Sequence, residues 1–168
     1  ELNIANGFMI TGSHNPKNYN GVKIILDDNP LFDKGIYALR DWIVNNSIMQ
    51  NINENPPSTC LDLLDKYIRR LKKDISINLK NRFVIDCMNG VTGNVIEKIT
   101  KVFNINAEFI NDNVDGNYPN CDPDPTKELN LQKLRKKMKD VDAEYGVAFD
   151  GDGDRLIIIK KNGSIIWP

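Results

Sequence analysis

The segment Asp150-Gly151-Asp152-Gly153-Asp154-Arg155 places three carboxylates at alternate positions with glycine between them. The apolar runs Tyr145-Gly146-Val147-Ala148-Phe149 and Leu156-Ile157-Ile158-Ile159 flank it, each short enough to be a buried strand. This pattern predicts a tight acidic loop between two strands, which commits the C-terminal part of the chain to a sheet. Three anions this close repel one another, and a hard divalent cation relieves the repulsion. The glycines let the backbone bend so that the side chains converge. An EF-hand loop also opens D-x-D-x-D, but needs Gly at its sixth position and a bidentate Glu at its twelfth. Here those positions are Arg155 and Lys161, and the flanks read as strands instead of helices. An acidic solvated turn is the plain alternative. Strict alternation of Asp and Gly over five residues argues against it.

The rest of the chain supplies the layers such a sheet needs. Val22–Leu26 reads as a strand closed by the turn formers Asp27 to Pro30. A helix follows over 33–45, with Ile36, Leu39 and Ile43 on one face. The polar, Pro-containing stretch 51–59 reads as a linker. The chain is therefore expected to divide into 1–56 and 57–168. A helix over 59–74 carries Leu61, Leu64, Ile68, Leu71 and Ile75 at helical spacing. Strand 83–86, helix 91–103, strand 107–110 and helix 129–139 then alternate. The segment 111–127 between the last two is a long loop, of the kind that is functional or packed on a neighbour. Asn162-Gly163 turns the last strand back on itself as a hairpin. Alternating strands and helices predict an α/β fold of mainly parallel mixed sheets flanked by helices.

A second cluster lies near the N-terminus. The strand-like Gly7-Phe8-Met9-Ile10 runs into Thr11-Gly12-Ser13-His14-Asn15-Pro16, and Tyr19-Asn20-Gly21-Val22-Lys23 follows. Ser13 on such a loop can meet a reagent, and His14 is the chain's one histidine. A Ser-His dyad would need an orienting acid and an oxyanion hole. On this segment alone, a plain loop and a catalytic loop fit equally well. Asn89-Gly90-Val91-Thr92-Gly93 sits between a strand and a helix, where a phosphate cradle can form. It lacks a Walker lysine and the full G-x-G-x-x-G pattern, and reads better as a tight structural turn.

Charge and cysteine content exclude other classes. A net charge of -1 implies no nucleic-acid partner, and the basic clusters at 69–73 and 133–139 read as solvated helix faces. No apolar run approaches the about 20 residues that span a bilayer. The three scattered cysteines, Cys60, Cys87 and Cys121, suggest reduced thiols and a cytoplasmic protein.

The two motif regions together resemble the phosphohexomutase superfamily, whose members move a phosphate between the C1 and C6 hydroxyls of a hexose. That family carries a T-G/A-S-H-N-P phosphoserine loop, then N-G-x-K, and a D-G-D-G-D-R metal loop. All three stand here intact and in order, at Thr11–Pro16, Asn20–Lys23 and Asp150–Arg155. Val84–Gly90 and Val114–Pro119 agree as well. The likeness is greatest to the bacterial bifunctional phosphomannomutase/phosphoglucomutase group and covers nearly the whole chain. The family has four domains, and the resemblance implies parts of two: the end of the phosphoserine-loop domain over 1–56, and the metal-loop domain over 57–168. The G-E-x-S-G-H sugar loop and the R-x-S-G-T-E-P phosphate loop of the other two domains are missing from this sequence. The chain is accordingly expected to be an internal fragment, inactive alone, with the missing domains of its parent as partners. Cys121 stands where relatives often have His.

The resemblance also assigns roles. It implies Ser13 as phosphoryl carrier, with His14 and Lys23 handling protons and contacting phosphate. Thr11 and Asn15 shape the loop, and Arg155 contacts phosphate. Asp150, Asp152 and Asp154, joined by Ser13 as phosphoserine, would hold Mg²⁺, which prefers oxygen ligands. The substrates implied are a hexose phosphate and a hexose bisphosphate, of glucose or mannose or both. Two alternatives stand beside this mutase. One is a non-catalytic metal-binding or interaction fragment. The other is an aspartate-nucleophile phosphatase, which would need D-x-D-x-T, whereas Arg155 follows the third carboxylate.

Overall fold

The computed structural model describes residues 3–46 and 58–167. Most of the expected linker, and the boundary at residue 56, lie outside the described residues. The chain divides into two units. The first comprises Glu1–Thr11 and Gly21–Asp62, and the second comprises Gly12–Asn20 and Leu63–Pro168. The serine-bearing segment thus belongs to the second unit, although it is inserted in the sequence of the first.

In the first unit, β1 (Gly7–Ile10), β2 (Val22–Leu26) and β3 (Asn29–Pro30) form an antiparallel sheet in that order. The turn formers after β2 do more than end it. Asp27 and Asp28 both take left-handed φ, 48° and 61°. Two such residues match the twist of a tight hairpin, so Asn29–Pro30 pairs back onto β2. Helix α1 (Lys34–Asn45) forms where expected. Its apolar stripe is less covered than the periodicity implies. Leu39 is half-buried, while Ile36 and Ile43 are 38% and 46% exposed. A three-stranded sheet is too small to cover a helix face.

The second unit is built on a five-stranded sheet in the order β5 (Ala107–Ile110), β4 (Phe83–Asp86), β6 (Tyr145–Phe149), β7 (Leu156–Lys160), β8 (Ile165–Ile166). Pairing is parallel through β5, β4 and β6 and antiparallel from β6 to β8. The second half follows from the two tight turns, since a hairpin can only return antiparallel. Helices α2 (Leu64–Asp74), α3 (Gly93–Val102) and α4 (Gln132–Asp140) accompany the sheet, and a 3₁₀ turn (Glu128–Leu131) leads into α4.

Helix α2 starts five residues later than the period of leucines suggests. Leu61 is 58% exposed and contributes nothing to hold a turn, whereas Ile68 is buried. Asp65 sits in the first turn, favourable for the helix dipole, and reaches Lys98 of α3 at 3.4 Å. Helix α3 likewise starts two residues late, at Gly93: Val91 N bonds Gly151 O and Thr92 is buried in the preceding turn.

Val84, Met88, Leu131, Leu134, Met138, Ala148, Ile157 and Ile159 form the core of this unit. Gly146 in mid-strand has a packing reason. A Cβ there would strike Met138 Sδ and stand 3.1 Å from Leu134 Cδ1. Helix α4 can therefore lie close on β6. Leu134→Ala should cost about 2–5 kcal/mol, the range for emptying a fully buried leucine site, as read from urea unfolding. At the sheet edge, Glu108 of β5 accepts hydrogen bonds from Lys137 and Arg82, which hold its carboxyl below the usual range. These groups are partly exposed, so the tie contributes little to stability.

Candidate active site and cation loop

Strands β4 and β6 are parallel neighbours, and the connections that follow them run to opposite sides of the sheet. The crevice at such a switch point is where open α/β sheets bind ligands. The acidic loop 150–154 lies there, directly after β6.

Asp150 is fully buried, Asp152 half-buried and Asp154 exposed. One carboxylate oxygen from each lies within 4.8 Å of the others. Burial, then repulsion from Asp152 and Asp154, pushes the Asp150 carboxyl up from its ordinary range. The backbone N–H and charge of Arg155 oppose that rise. The converging groups are three carboxylates, all formally anionic. This set fits a hard divalent cation.

Arg155 is the hub of the site. Its backbone N donates to Asp150 Oδ1 (3.1 Å), and its Nε to Asp150 Oδ2 (3.0 Å). Nη2 stands 2.9 Å from the same Oδ2. The same Nη2 donates to Ser13 Oγ at 2.9 Å and contacts His14 Nδ1. Ser13 Oγ in turn lies 3.4 Å from Asp150 Oδ2 and from His14 Nδ1.

The serine loop is held tightly. Ser13 takes a left-handed φ of 50°. Asn15 N bonds Gly12 O (3.0 Å) and Tyr19 N bonds Pro16 O (2.9 Å), closing successive turns. A Cβ on Gly12 would stand 2.9 Å from Tyr19 O. A Cβ on Gly151 would strike Ser13 O, with Pro123 Cγ at 3.2 Å and Tyr118 Oη at 3.3 Å. The acidic loop is therefore packed between the serine loop and the long loop 111–127. Gly151→Ala should push these loops apart, and is expected to lower the melting temperature and weaken divalent-cation binding together, read by thermal scans with and without the cation.

Ser13, His14, Asn15, Asp150, Asp152, Asp154 and Arg155 all lie in the second unit. Thr11 and Lys23 belong to the first. There, Thr11 N bonds Gly21 O (3.0 Å), and Lys23 is an exposed residue of β2 paired with Met9. In the turn 89–93, Gly90 abuts Gly151, and a Cβ on Gly93 would strike Asp112 O. Backbone packing accounts for both glycines. Tyr118 and Pro123 received no role from the sequence. The signals for them are their place in a long loop rich in Asn, Asp and Pro and, for Tyr118, the Val114–Pro119 stretch of the family likeness.

Fold and site together define an α/β protein that joins a serine hydroxyl, an arginine and a carboxylate cluster at the carboxyl ends of the parallel strands of a mixed sheet. The pattern described as phosphoglucomutase/phosphomannomutase, alpha/beta/alpha domain II, matches residues 65–163, and that of domain I matches residues 1–54. A phosphomannomutase/phosphoglucomutase of Pseudomonas syringae pv. tomato is 38% identical over 162 residues, 96% of this chain and 34% of that protein. A phosphoglucomutase of Neisseria meningitidis serogroup B is 37% identical over 164 residues, 98% of this chain and 35% of its own length. The crystal structure of a Burkholderia thailandensis phosphoglucomutase/phosphomannomutase family protein superposes with a TM-score of 0.84 at 36% identity, over 96% of this chain and 34% of that one. The chain belongs to the phosphoglucomutase/phosphomannomutase family. It spans about a third of the length of the curated relatives it matches.

Proposed function

We propose that this chain carries the phosphoserine and cation-binding part of a phosphohexomutase, which interconverts hexose 1-phosphate and hexose 6-phosphate of glucose, mannose or both. The observation that supports this best is the meeting of Ser13 Oγ with Arg155 Nη2 and Asp150 Oδ2, residues well over a hundred positions apart. In this proposal 1–56 belongs to a phosphoserine-loop domain and 57–168 to a metal-loop domain.

Phosphoryl transfer needs charge neutralised on oxygen and the donor held in line. Ser13 would carry the phosphoryl group and give it to a sugar hydroxyl, forming a hexose bisphosphate. The Ser13 Oγ–P bond breaks as the sugar O–P bond forms. Returning the other phosphate to Ser13 completes the exchange. Arg155 already donates to Ser13 Oγ and would stabilise the oxygen as its bond to phosphorus breaks. His14 and Lys23 would take or supply the sugar hydroxyl's proton and contact phosphate, with Thr11 and Asn15 shaping the loop. Asp150, Asp152, Asp154 and a phosphoserine oxygen would hold Mg²⁺. When bound, that ion makes the phosphorus more electrophilic and stabilises the departing serine oxygen.

Within a full-length parent, phosphopeptide mass spectrometry after turnover should find the covalent phosphate on Ser13. A phosphorylated Asp or His with Ser13 bare would sink the proposal. The 168 residues alone are expected to show no mutase turnover in a coupled assay with glucose 1-phosphate, Mg²⁺ and a hexose bisphosphate. A mutase must hold the distal end of its substrate, and orientation of that kind is worth up to about 7–11 kcal/mol. Turnover near that of an intact relative would overturn this expectation.

The raised Asp150 carboxyl gives a pH test. In the folded chain without a cation, Asp150 keeps its proton to a higher pH than in the unfolded chain. Its contribution to stability is therefore lost as pH rises from 3.8 through the raised value. A cation competes with that proton. The increase in melting temperature produced by Mg²⁺ should thus grow as pH rises through that range, measured against EDTA.

A further inference from the structure

Beneath the acidic loop lies the turn that follows β4. Val91 N donates to Gly151 O at 3.0 Å. Gly90 is closer still. A Cβ there would stand 2.6 Å from Gly151 O and 2.9 Å from its Cα, against backbone that cannot swing aside. Gly151 is the residue that joins Asp150 to Asp152.

The turn is held by Asn89, which is 7% exposed and has a left-handed φ of 57°. All four of its polar groups are engaged. Its N donates to Asn111 O (2.8 Å), and its O accepts from Asp115 N (3.0 Å). Its Nδ2 donates to Asn113 O (2.9 Å), and its Oδ1 accepts from Asn120 Nδ2 (3.0 Å). Asp86, buried at the end of β4, fixes the start of the turn. Its Oδ1 accepts from Met88 N and from Asn111 Nδ2, both at 2.9 Å. Neither Asn89 nor Asp86 is among the carboxylates of the acidic loop. Their hold on that loop runs through the Gly90–Val91 backbone.

We propose that Asn89 is a positioning residue for the cation loop: its hydrogen bonds clamp the Gly90–Val91 turn against Gly151 and so set the spacing of the Asp150 and Asp152 carboxylates. This rests on the cation reading of the site given above. Mg²⁺ demands near-octahedral oxygen geometry at about 2.1 Å, so small shifts of its ligands matter. Loss of groups that orient metal ligands typically costs about 10–100-fold in affinity.

The test is Mg²⁺ titration by calorimetry on the full chain, with urea unfolding of each variant in EDTA. Asn89→Gly keeps the left-handed backbone without steric cost and deletes only the two side-chain bonds. It should bind Mg²⁺ about 10-fold or more weakly. Gly90→Ala should bind more weakly still. Leu134→Ala, which alters none of the turn's hydrogen bonds, controls for stability and should keep the wild-type affinity despite unfolding earlier. A folded Asn89→Gly protein with wild-type affinity overturns the inference, as does a Leu134→Ala protein whose affinity falls in step with its stability. If Gly90→Ala does not fold, the comparison of Asn89→Gly with Leu134→Ala decides. A folded wild-type chain that takes up no Mg²⁺ overturns the cation reading itself and this inference with it.

Discussion

Ser13→Ala in a full-length parent is expected to abolish phosphohexomutase turnover, by about 10⁴-fold or more, the scale on which enzymes lose rate when a covalent nucleophile is removed. Ser13 Oγ is the group that Arg155 Nη2 approaches at 2.9 Å and that faces Asp150 Oδ2 at 3.4 Å. Alanine removes it without adding bulk. The fold should survive, because the loop is closed by the backbone bonds Asn15 N to Gly12 O and Tyr19 N to Pro16 O, which the substitution leaves alone. The left-handed φ of Ser13 adds a small strain for either residue. Coupled assay and retained phosphate, measured on the same preparation, check the outcome. Turnover within about tenfold of wild type would remove Ser13 from the chemistry.

Asp150→Ala is expected to have the second largest effect, on Mg²⁺ binding. Asp150 is the fully buried member of the cluster and accepts from Arg155 at both its oxygens. Its removal would take away one of the proposed cation ligands and the Arg155 partner that faces Ser13. Mg²⁺ affinity should fall by more than the about 10–100-fold that loss of an outer support costs. Breaking a fully buried ion pair costs about 3–5 kcal/mol. The Arg155 side chain is 37% exposed. Solvent screening therefore reduces the expected loss of stability to about 1–3 kcal/mol. Asp154→Ala, at the exposed end of the loop, should lose less on both counts. Calorimetry and urea unfolding separate the two readouts. Equal Mg²⁺ affinities for Asp150→Ala and wild type would end the assignment of this loop to a cation.

Much of the second unit is legible from local pattern. Strands 83–86, 107–110 and 145–149 have the expected bounds, because each is a short apolar run ended by turn formers. Helix starts are less legible. The leucine period carries on through Leu61, but a helix begins only where side chains find a surface, at Leu64. Periodicity records which face is apolar, whereas tertiary contact determines how much of it is ordered and covered. The same reason explains Ile36 and Ile43 of α1, which keep the right spacing yet stay exposed. The two motifs that carry the family resemblance were readable because their chemistry needs fixed residue types at fixed short spacing.

Residue order along the chain was enough to establish that an acidic loop joins two strands, that a serine and a histidine sit on a tight turn, and that the chain is similar to phosphohexomutases. These are properties of neighbours along the chain, fixed by glycine freedom, charge repulsion and strand length. Three-dimensional packing, by contrast, was needed to see that residues 12–20 leave their own unit and join the second. It was needed equally to see that Arg155 links Asp150 to Ser13, and that Asn89 and Gly90 seat the acidic loop from beneath. Such contacts depend on how strands β4 and β6 come side by side. That pairing is chosen by the burial of the whole sheet, and no local spacing encodes it.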